Sequence, residues 1–445
     1  MTTEHSLTRQ QKETVALLSI GTFLEYFDLM IYVHMAVLLN ELFFPPTDPK
    51  TAAVLAAFAF CSTYVLRPFG ALIFGYIGDN YGRKPTVIIT TTLMSCCCLI
   101  MAFLPTYAEI GITAAIIVSV LRIVQGMSSM GEIMGANVFM AEITKPPIQY
   151  FAVGLISVIS NVGSMMALGV AALATSKGFN WRLVFFMGTV IALVGMAART
   201  KLRETPEFTD AKRKATYTLQ SLKEQGLEKP AKFFKNRDIT KEEINIKDLC
   251  NYFAICCGWP FSFYLIYIYF IPTLKKSCNY SPEDIITHNF YLSICIICAS
   301  TILIYLSQRI YPLYISRIVV CLFTITMIIT PFVVSITSNN YIIFTMQMFL
   351  TMFGLRPTPS DAIFIKHFPV FNRFTSVTFC YALSRAIMYV IISFGLIYLT
   401  EWFGFYGIWV IGIPITLLWI RAIYYYASLE KEVGNYPLKG QWQVR

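Results

Sequence analysis

The stretch GYIGDNYGRKPT, from Gly75 to Thr86, decides the fold class because it interrupts two long apolar segments. Residues 52–74 precede it and residues 87–104 follow it, and both are dominated by hydrophobic side chains. The stretch itself holds three glycines, an aspartate, an arginine and a lysine. This pattern predicts a tight polar turn between two hydrophobic helices.

The composition of the whole chain indicates a membrane protein. Of 445 residues, 13% are charged and 56% are hydrophobic, whereas a soluble domain has about 25% charged residues. A helix needs roughly 20 apolar residues to cross a bilayer, and segments of that kind recur along nearly the whole chain. Because the apolar runs are long and continuous rather than alternating, they favour helices over a β-barrel.

The hydrophobic pattern predicts an all-α membrane protein with twelve transmembrane helices. Their predicted bounds are 15–40, 51–78, 86–104, 109–140, 150–175, 181–199, 249–274, 287–307, 312–335, 340–356, 374–400 and 405–426. The longest segment that is not hydrophobic, 200–248, divides them into two sets of six. We therefore expect a first half at 1–199, a linker at 200–248, a second half at 249–426 and a short tail at 427–445.

The distribution of lysine and arginine predicts the orientation, because cytoplasmic loops carry an excess of these residues. The predicted inner loops hold Arg9, Lys12, Arg83, Lys84, Lys145, the basic cluster of 199–248, Arg309, Arg317, Arg356, Lys366, Arg373, Arg421, Lys431, Lys439 and Arg445. The predicted outer loops hold Lys50, Lys177, Arg182, Lys275 and Lys276. Both termini and the linker are thus expected in the cytoplasm. This bias accounts for the net charge of +10 without nucleic-acid binding.

Several classes of function find no support in the sequence. The twelve cysteines have no metal-ligand spacing and the four histidines are scattered, so we expect no metal, no disulfides and no cofactor. No nucleophile motif or nucleotide-binding loop indicates an enzyme. The polar start MTTEHSLTRQQKET is not followed by a short apolar region with a cleavage site, so we expect the first helix to be retained.

The turn has a spacing that suggests a helix contact. Gly75 and Gly78 are three residues apart, so one face of the second helix lacks side chains and another helix can approach closely. Asp79 lies at the membrane edge, where it can accept hydrogen bonds from the N-terminus of a neighbouring helix. Such contacts can form in one conformation and break in another. The alternative is a turn that serves only membrane topology.

Ionisable residues inside the helices are the candidate site, because such groups are costly in a bilayer and are usually functional. In helix one, Glu25, Asp28 and Tyr32 lie on one face. In helix four, a polar stripe with three- and four-residue spacing predicts the lining of a water-filled cavity; it comprises Arg122, Gln125, Ser129, Glu132 and Ala136. Arg122 and Glu132 are about 15 Å apart along the helix, so they are expected to have different partners.

Two further arginines, Arg67 in helix two and Arg385 in helix eleven, complete the candidate site. For both, a structural role at a helix end is an equal alternative, and for Glu142 a structural role is favoured. Intramembrane carboxylates suit proton coupling, since burial prepares them to change protonation.

The spacing of Gly75, Asp79, Gly82, Arg83 and Lys84 resembles the signature of the major facilitator superfamily. The arrangement of six plus six helices with a basic central loop is similar to that superfamily as well. The resemblance implies the major facilitator fold, in which the turn is a gating motif between two halves that rock around a central substrate. In the second half, IYLSQRIYPLYISR has Gln308 where the aspartate would stand and lacks the glycines.

Other motifs resemble the metabolite:proton symporter branch, which includes proline/betaine transporters and carriers of 2-oxoglutarate, citrate and shikimate. These motifs are ExxDxxxY in helix one, FFP at 43–45, RPxG at 67–70, RxxQGxSxxGE at 122–132, RETPEF at 203–208 and the segment 368–386. The resemblance implies a monomeric proton symporter, with both termini inside, in a bacterial inner membrane. The tail after residue 426 is too short for the long coiled coil of osmosensing members, so we expect no such sensing.

The charge balance favours a zwitterion such as proline or glycine betaine. Glu25, Asp28 and Glu132 outnumber Arg67 and Arg122, and a dianion would meet a field that is not positive. A di- or tricarboxylate is the alternative if some of these acids are protonated or Arg385 joins the site. A receptor derived from a transporter is a further alternative.

Overall fold

The computed structural model describes residues 6–35, 39, 42–45, 64–174, 180–224, 243–276, 279–337 and 339–437. The predicted first part of the second helix, 51–63, lies outside the described residues. We call the end of the bundle that carries the Gly75–Thr86 turn the turn end, and the opposite end the far end.

The described chain is built from helices, which we number in chain order. They are α1 (Arg9–His34), α2 (Arg67–Asn80), α3 (Arg83–Phe103), α4 (Ile112–Ile143), α5 (Ile148–Ala174), α6 (Arg182–Arg199), α7 (Pro206–Glu224), α8 (Ile246–Tyr267), α9 (Ile271–Lys276), α10 (Pro282–Leu306), α11 (Pro312–Ile336), α12 (Asn340–Phe353), α13 (Asp361–Lys366), α14 (Val370–Phe403) and α15 (Ile408–Val433). Short turns at Tyr107–Ile110 and Gly404–Gly407 precede α4 and α15.

Eight of the described helices are long and apolar enough to cross a bilayer: α3, α4, α5, α8, α10, α11, α14 and α15. α6 and α12 contain shorter apolar stretches, which are apolar like the spanning helices but do not reach their length. Polar residues begin several helices outside the apolar stretches. Thr8 and Gln11 form a reciprocal capping box at α1, and Ser281 and Asp284 form another at α10, which satisfies backbone amides that have no partner within the helix.

Helices pack on one another within a first group in residues 1–199 and within a second group in residues 246–433. Within the first group α1 packs on α5 and α6, while α3 packs on α4 and α6. Within the second group α8 packs on α14 and α15, while α11 packs on α12 and α15. Two seams join the groups, one between α2 and α14 and the other between α5 and α10. The seams enclose the centre of the molecule, where the candidate site lies.

The observed helix bounds differ from the predicted ones at several places, among them the first, the tenth and the last helix. The first helix begins at Arg9 rather than residue 15, because its polar first turns are capped. The last helix continues to Val433, past residue 426, and ends at Gly434 in the left-handed conformation. The tenth helix is interrupted: α12 ends at Phe353 and α13 begins at Asp361.

Candidate functional site

A central cavity lies between the two groups of helices and consists of two adjoining chambers. The wider chamber has a volume of about 300 Å³ and the narrower one about 70 Å³. Both are lined by Tyr26, Ile133, Asn161, Trp259, Tyr381 and Arg385. Tyr26 and Tyr381, on opposite sides, have their hydroxyl oxygens 3.2 Å apart. The cavity is therefore bounded by both halves of the molecule.

Among the described residues, three arginines reach this cavity, and each faces an aromatic ring. Arg67 lies 4.5 Å from the ring centre of Tyr64, and Arg385 lies 3.2 Å from that of Tyr381. The third is Arg356, which lines the narrower chamber. Aromatic faces attract cations, so these rings stabilise arginines that are removed from water.

Arg356 is a correction to the predicted topology, which placed it in an inner loop. The residue is 6% exposed and follows Phe353, where α12 ends. Pro357 and Pro359 explain the break, because proline cannot donate to the helix and disfavours helical geometry in the residue before it. The sequence pattern predicts a helix end at this point. In the structure the chain breaks here inside the bundle, and Arg356 therefore lies at the central cavity.

A separate polar cluster lies within the first half, where Glu25, Asp28, Arg67, Arg122 and Gln125 surround a small cavity. Arg122 Nη1 donates to Asp28 Oδ2 at 3.1 Å and to Gln125 Oε1 at 3.0 Å. By contrast, neither carboxyl oxygen of Glu25 has a hydrogen-bond partner among the described residues. Glu25 is nevertheless only 1% exposed, so it is a buried acid that shares this small cavity with Arg67 and Ser129 and forms no ion pair among the described residues.

Glu132 lies apart from this cluster and is held by Arg199. The two form a buried ion pair, and Thr90 Oγ1 donates to Glu132 Oε1 at 2.9 Å. Arg199 also donates to Leu18 O at 3.1 Å, and its guanidinium occupies the space that a side chain at Gly21 would need. The expectation that Arg122 and Glu132 have different partners is confirmed. Arg199, predicted at an inner helix end, is the partner that the sequence did not reveal.

The structure thus distributes the predicted site residues over three places. The first-half cluster holds Glu25, Asp28, Arg67, Arg122 and Gln125; Arg385 lines the central cavity, which Arg67 also reaches; and Glu132 pairs with Arg199. The side chain of Tyr32 lies outside the described residues.

At the turn end, Asp79 joins the two halves. Its Oδ1 accepts a hydrogen bond from the amide of Phe374 at 3.0 Å, and its Oδ2 accepts one from the amide of Thr375 at 2.8 Å. Both amides lie near the N-terminus of α14, where the helix dipole favours an anion. This confirms the predicted contact between Asp79 and the N-terminal part of another helix.

The two glycines of α2 allow this contact to form. A Cβ atom on Gly75 would lie 2.8 Å from Thr375 Cα, and one on Gly78 would lie 2.7 Å from the ring of Phe374. Real Cβ atoms essentially never show contacts this short. The predicted close approach of another helix is confirmed, and that helix is α14.

Arg83 occupies the centre of the turn end and is fully buried. Its guanidinium donates to Glu142 Oε1 at 2.8 Å, to Gly78 O at 2.6 Å and to Val370 O at 2.6 Å. It also lies 3.3 Å from Asp79 Oδ1. Because the five N–H donors of arginine have a fixed planar geometry, one side chain here links α2, α4 and α14.

Glu204, just before α7, closes the other side of the turn. Its carboxylate accepts hydrogen bonds from the amides of Arg83 at 3.0 Å and Lys84 at 3.2 Å, the first residues of α3. Gly82 precedes them with φ +127°, and a Cβ there would lie 2.1 Å from Glu204 Oε2. Only glycine fits this position. Lys84 Nζ donates to Thr200 O at 3.0 Å, so the turn is tied to the linker.

Glu142 and Glu207 extend these contacts into the second half. Arg373 Nη1 lies 3.0 Å from Glu142 Oε1 and 2.7 Å from Glu207 Oε2. Glu207 also pairs with Lys366, and Thr205 Oγ1 donates to Glu142 Oε2 at 2.6 Å. Glu142, read from the sequence as structural, connects both halves with α7. No local pattern in the sequence indicates that Thr205 and Arg373 are its partners, since both lie more than 60 residues away in the chain.

The corresponding turn of the second half, between α10 and α11, closes differently. Gln308 stands in the place of the aspartate. Here Tyr311, beside α11, meets Tyr150 of α5 edge to face, with ring centres 6.3 Å apart. Tyr311 also donates to Glu430 Oε2 at 2.6 Å. Aromatic packing thus replaces a carboxylate contact between the halves.

The fold and site define a class: polytopic helical membrane proteins built from two six-helix halves around a central cavity. A family model described as Major Facilitator Superfamily matches residues 18–393. The chain belongs to this superfamily, and its fold has twelve transmembrane helices.

Two relatives named proline/betaine transporters match part of the chain. The chain is 27% identical to the proline/betaine transporter of Salmonella typhimurium over 279 residues. This match covers 61% of this chain and 54% of that protein. It is 30% identical over 204 residues to the proline/betaine transporter of Escherichia coli strain K12, covering 44% of this chain and 41% of that one. The matches therefore span about half or less of these relatives.

Among solved structures, the proton:xylose symporter XylE bound to 6-bromo-6-deoxy-D-glucose has a TM-score of 0.73. The match covers 93% of this chain and 94% of XylE, at 14% identity. At this identity the likeness establishes the fold.

Proposed function

We propose that this protein is a secondary active transporter that takes up a small zwitterionic osmolyte or amino acid, proline or glycine betaine, together with protons. The observation that carries the proposal is the central cavity between the two halves, which presents aromatic rings beside arginines. Similarity to proteins named proline/betaine transporters supports it. The protein is a carrier rather than an enzyme, and it works without a cofactor.

The cavity lining supports a zwitterionic substrate. Tyr26, Tyr64, Trp259 and Tyr389 line the wider chamber, and aromatic faces bind quaternary ammonium groups through cation–π attraction. Arg385, in the same chamber, can hold a carboxylate. The volume of about 300 Å³ lies at the lower end of the range for small-molecule sites.

A proton symporter of a di- or tricarboxylate is the second candidate, and the arginines favour it. The charge balance expected from the sequence changes in the structure, because Arg122 pairs with Asp28 and Arg199 pairs with Glu132. The cavity itself is lined by Arg67, Arg356, Arg385 and Asp361, so arginines outnumber acids there.

Glu25 is the proton-carrying residue of this proposal. It is buried without a hydrogen-bond partner among the described residues, and it shares a small cavity with Arg67, which also reaches the central cavity. Asp28 and Glu132 are held in ion pairs. An acid without a fixed partner can change protonation without breaking a salt bridge first.

Transport proceeds by alternating access, in which residues 1–199 and 249–426 move as two bodies around the cavity while 200–248 links them. Contacts of Asp79, Arg83 and Lys84 hold the turn end closed. The excess of basic residues near that end supports a location of the turn end and both termini on the cytoplasmic side of a bacterial inner membrane. The transporter acts as a monomer.

Uptake by purified protein in proteoliposomes tests the function. Under an inward proton gradient, labelled glycine betaine or proline should accumulate, and a protonophore should abolish the accumulation. Competition with 2-oxoglutarate, citrate and shikimate separates the two candidates, because a carboxylate carrier would transport these instead. Binding without sustained uptake would identify a receptor derived from a transporter and overturn the proposal.

A further inference from the structure

The narrower chamber lies beside the break in the tenth helix. α12 starts near the far end and α13 ends at Lys366, which pairs with Glu207 at the turn end. The break therefore lies within the bilayer. Backbone outside helices is tolerated at that depth only where it is buried in protein or lines a cavity, and residues 356–358 and 361 line this chamber.

Arg356 enters the chamber with neutral partners only. Its Nη1 donates to Ser300 Oγ at 2.6 Å, and its Nη2 donates to Thr351 O. Its Nε has no hydrogen-bond partner among the described residues, and its guanidinium lies 5.5 Å from the ring centre of Trp259. In the described part of the chain, no ion pair forms with Arg356. A buried cation without an anion is costly, so this site is suited to an anion that arrives with a ligand.

Asp361 faces the same chamber from the first residue of α13. Its Oδ2 accepts a hydrogen bond from Thr358 Oγ1 at 3.2 Å, and Thr358 Oγ1 also lies 3.0 Å from Ser157 Oγ of α5. Among the described residues Asp361 has no salt bridge either. The chamber therefore presents two arginines, Arg356 and Arg385, and one aspartate, Asp361. Among the described residues, Arg356 and Asp361 form no salt bridge with each other or with another side chain.

We propose that Arg356 and Asp361 form a zwitterion subsite, in which Arg356 binds the substrate carboxylate and Asp361 faces its cationic end. This inference rests on the proposed function, because the substrate must reach the cavity. It deepens that function by naming what selects the substrate. A single carboxylate beside an ammonium group satisfies Arg356 and Asp361. A second carboxylate in the position of the ammonium group would be repelled by Asp361, and Arg385 in the same chamber offsets part of that repulsion.

Binding to the purified full-length protein, measured by calorimetry, tests the role of Arg356. Arg356→Gln should raise the Kd for glycine betaine by about 10- to 100-fold, the range of a hydrogen bond between charged groups. Arg309→Gln, an exposed change in the same half, should leave the Kd unchanged. Arg356→Lys keeps the charge without the planar geometry and should give an intermediate Kd; it serves as the measurable variant if Arg356→Gln does not fold.

Asp361→Asn tests the selection between substrates. This variant should bind glycine betaine more weakly and 2-oxoglutarate more tightly than the wild-type protein does. The opposing directions are specific to a charge in the site, since a folding defect would weaken both. Equal binding of both ligands by the wild type and Asp361→Asn would overturn the role of Asp361.

The outcomes separate this inference from the proposed function. If the wild type binds only 2-oxoglutarate, citrate or shikimate, the zwitterion function and the role of Asp361 fail together, while loss of that binding in Arg356→Gln would still support Arg356. If betaine binds and is transported normally by both Arg356 variants, the function stands and the subsite is wrong. A wild type that binds no carboxylate overturns the subsite.

Discussion

Thr375 donates its backbone amide to Asp79 across the interface between the two halves, at 2.8 Å. A carboxylate at the end of α2 thereby meets the N-terminal part of α14, where the helix dipole favours a negative charge. The carbonyl of Val370, which a regular helix would pair with the amide of Phe374, instead accepts from Arg83 at 2.6 Å. The contact depends on the closed arrangement of the halves.

Asp79→Asn should open the turn end. The substitution keeps the size of the side chain but removes a charged acceptor, and a hydrogen bond to a charged group contributes about 1.5–3 kcal/mol. The closed state should lose population by about 10- to 100-fold relative to the open state. Hydrogen exchange in the segment 370–380 should become faster, and turnover in proteoliposomes slower.

Asp284→Asn is the matched control for that experiment, since Asp284 is exposed and caps α10 away from the turn. Membrane insertion should be normal in both variants. A turn that serves only membrane topology would leave both hydrogen exchange and turnover of Asp79→Asn at the wild-type level.

Gly75→Ala should prevent full closure by steric means. The new Cβ would lie 2.8 Å from Thr375 Cα, and backbone cannot move aside as a flexible side chain can. We expect lower turnover with normal insertion. Gly188→Ala is the control, because its nearest neighbour would be Cys98 Sγ at 3.7 Å, an ordinary contact. Equal turnover of the two variants would contradict the close packing of α2 on α14.

Arg199→Gln should destabilise the first half. Removing one partner of a buried ion pair costs about 3–5 kcal/mol, and Glu132 would be left without Arg199. Thermal unfolding in detergent should therefore begin at a lower temperature. The double variant Glu132→Gln, Arg199→Gln should recover part of the loss, because neither charge is then uncompensated.

Arg213→Gln is the control for this stability measurement, since Arg213 forms an exposed pair with Asp210 at 3.4 Å. Such surface pairs contribute about 0–1 kcal/mol. If Arg199→Gln lowers the unfolding temperature no more than Arg213→Gln does, the buried pair does not stabilise the helix bundle.

The helices and the α2 contact could be predicted because their signals are local. Twenty-residue apolar runs suffice to identify spanning helices, and the spacing of Gly75, Gly78 and Asp79 indicates a close helix contact before its partner is known. The partner, α14, lies almost 300 residues further along the chain. No periodicity in either segment reveals that pairing.

Charges near helix ends were the features that the sequence could not resolve. Arg199 and Arg356 have the sequence surroundings of cytoplasmic loop residues, yet both are buried. Arg199 lies inside the bundle because it pairs with Glu132. Arg356 lies inside because the helix breaks at two prolines. The rule that relates basic residues to topology counts charges near membrane boundaries, and it contains no information about the tertiary partner of each one.

Glu25→Gln should uncouple uptake from the proton gradient while leaving the carrier able to exchange substrate. With one proton per substrate, a gradient of one pH unit supplies about 1.4 kcal/mol, enough for about tenfold accumulation. Wild-type proteoliposomes should approach this value and Glu25→Gln should reach only equal concentrations, while exchange of labelled for unlabelled glycine betaine persists. Glu401→Gln, an exposed change in α14, should accumulate substrate like the wild type. Tenfold accumulation by Glu25→Gln would show that another residue carries the proton.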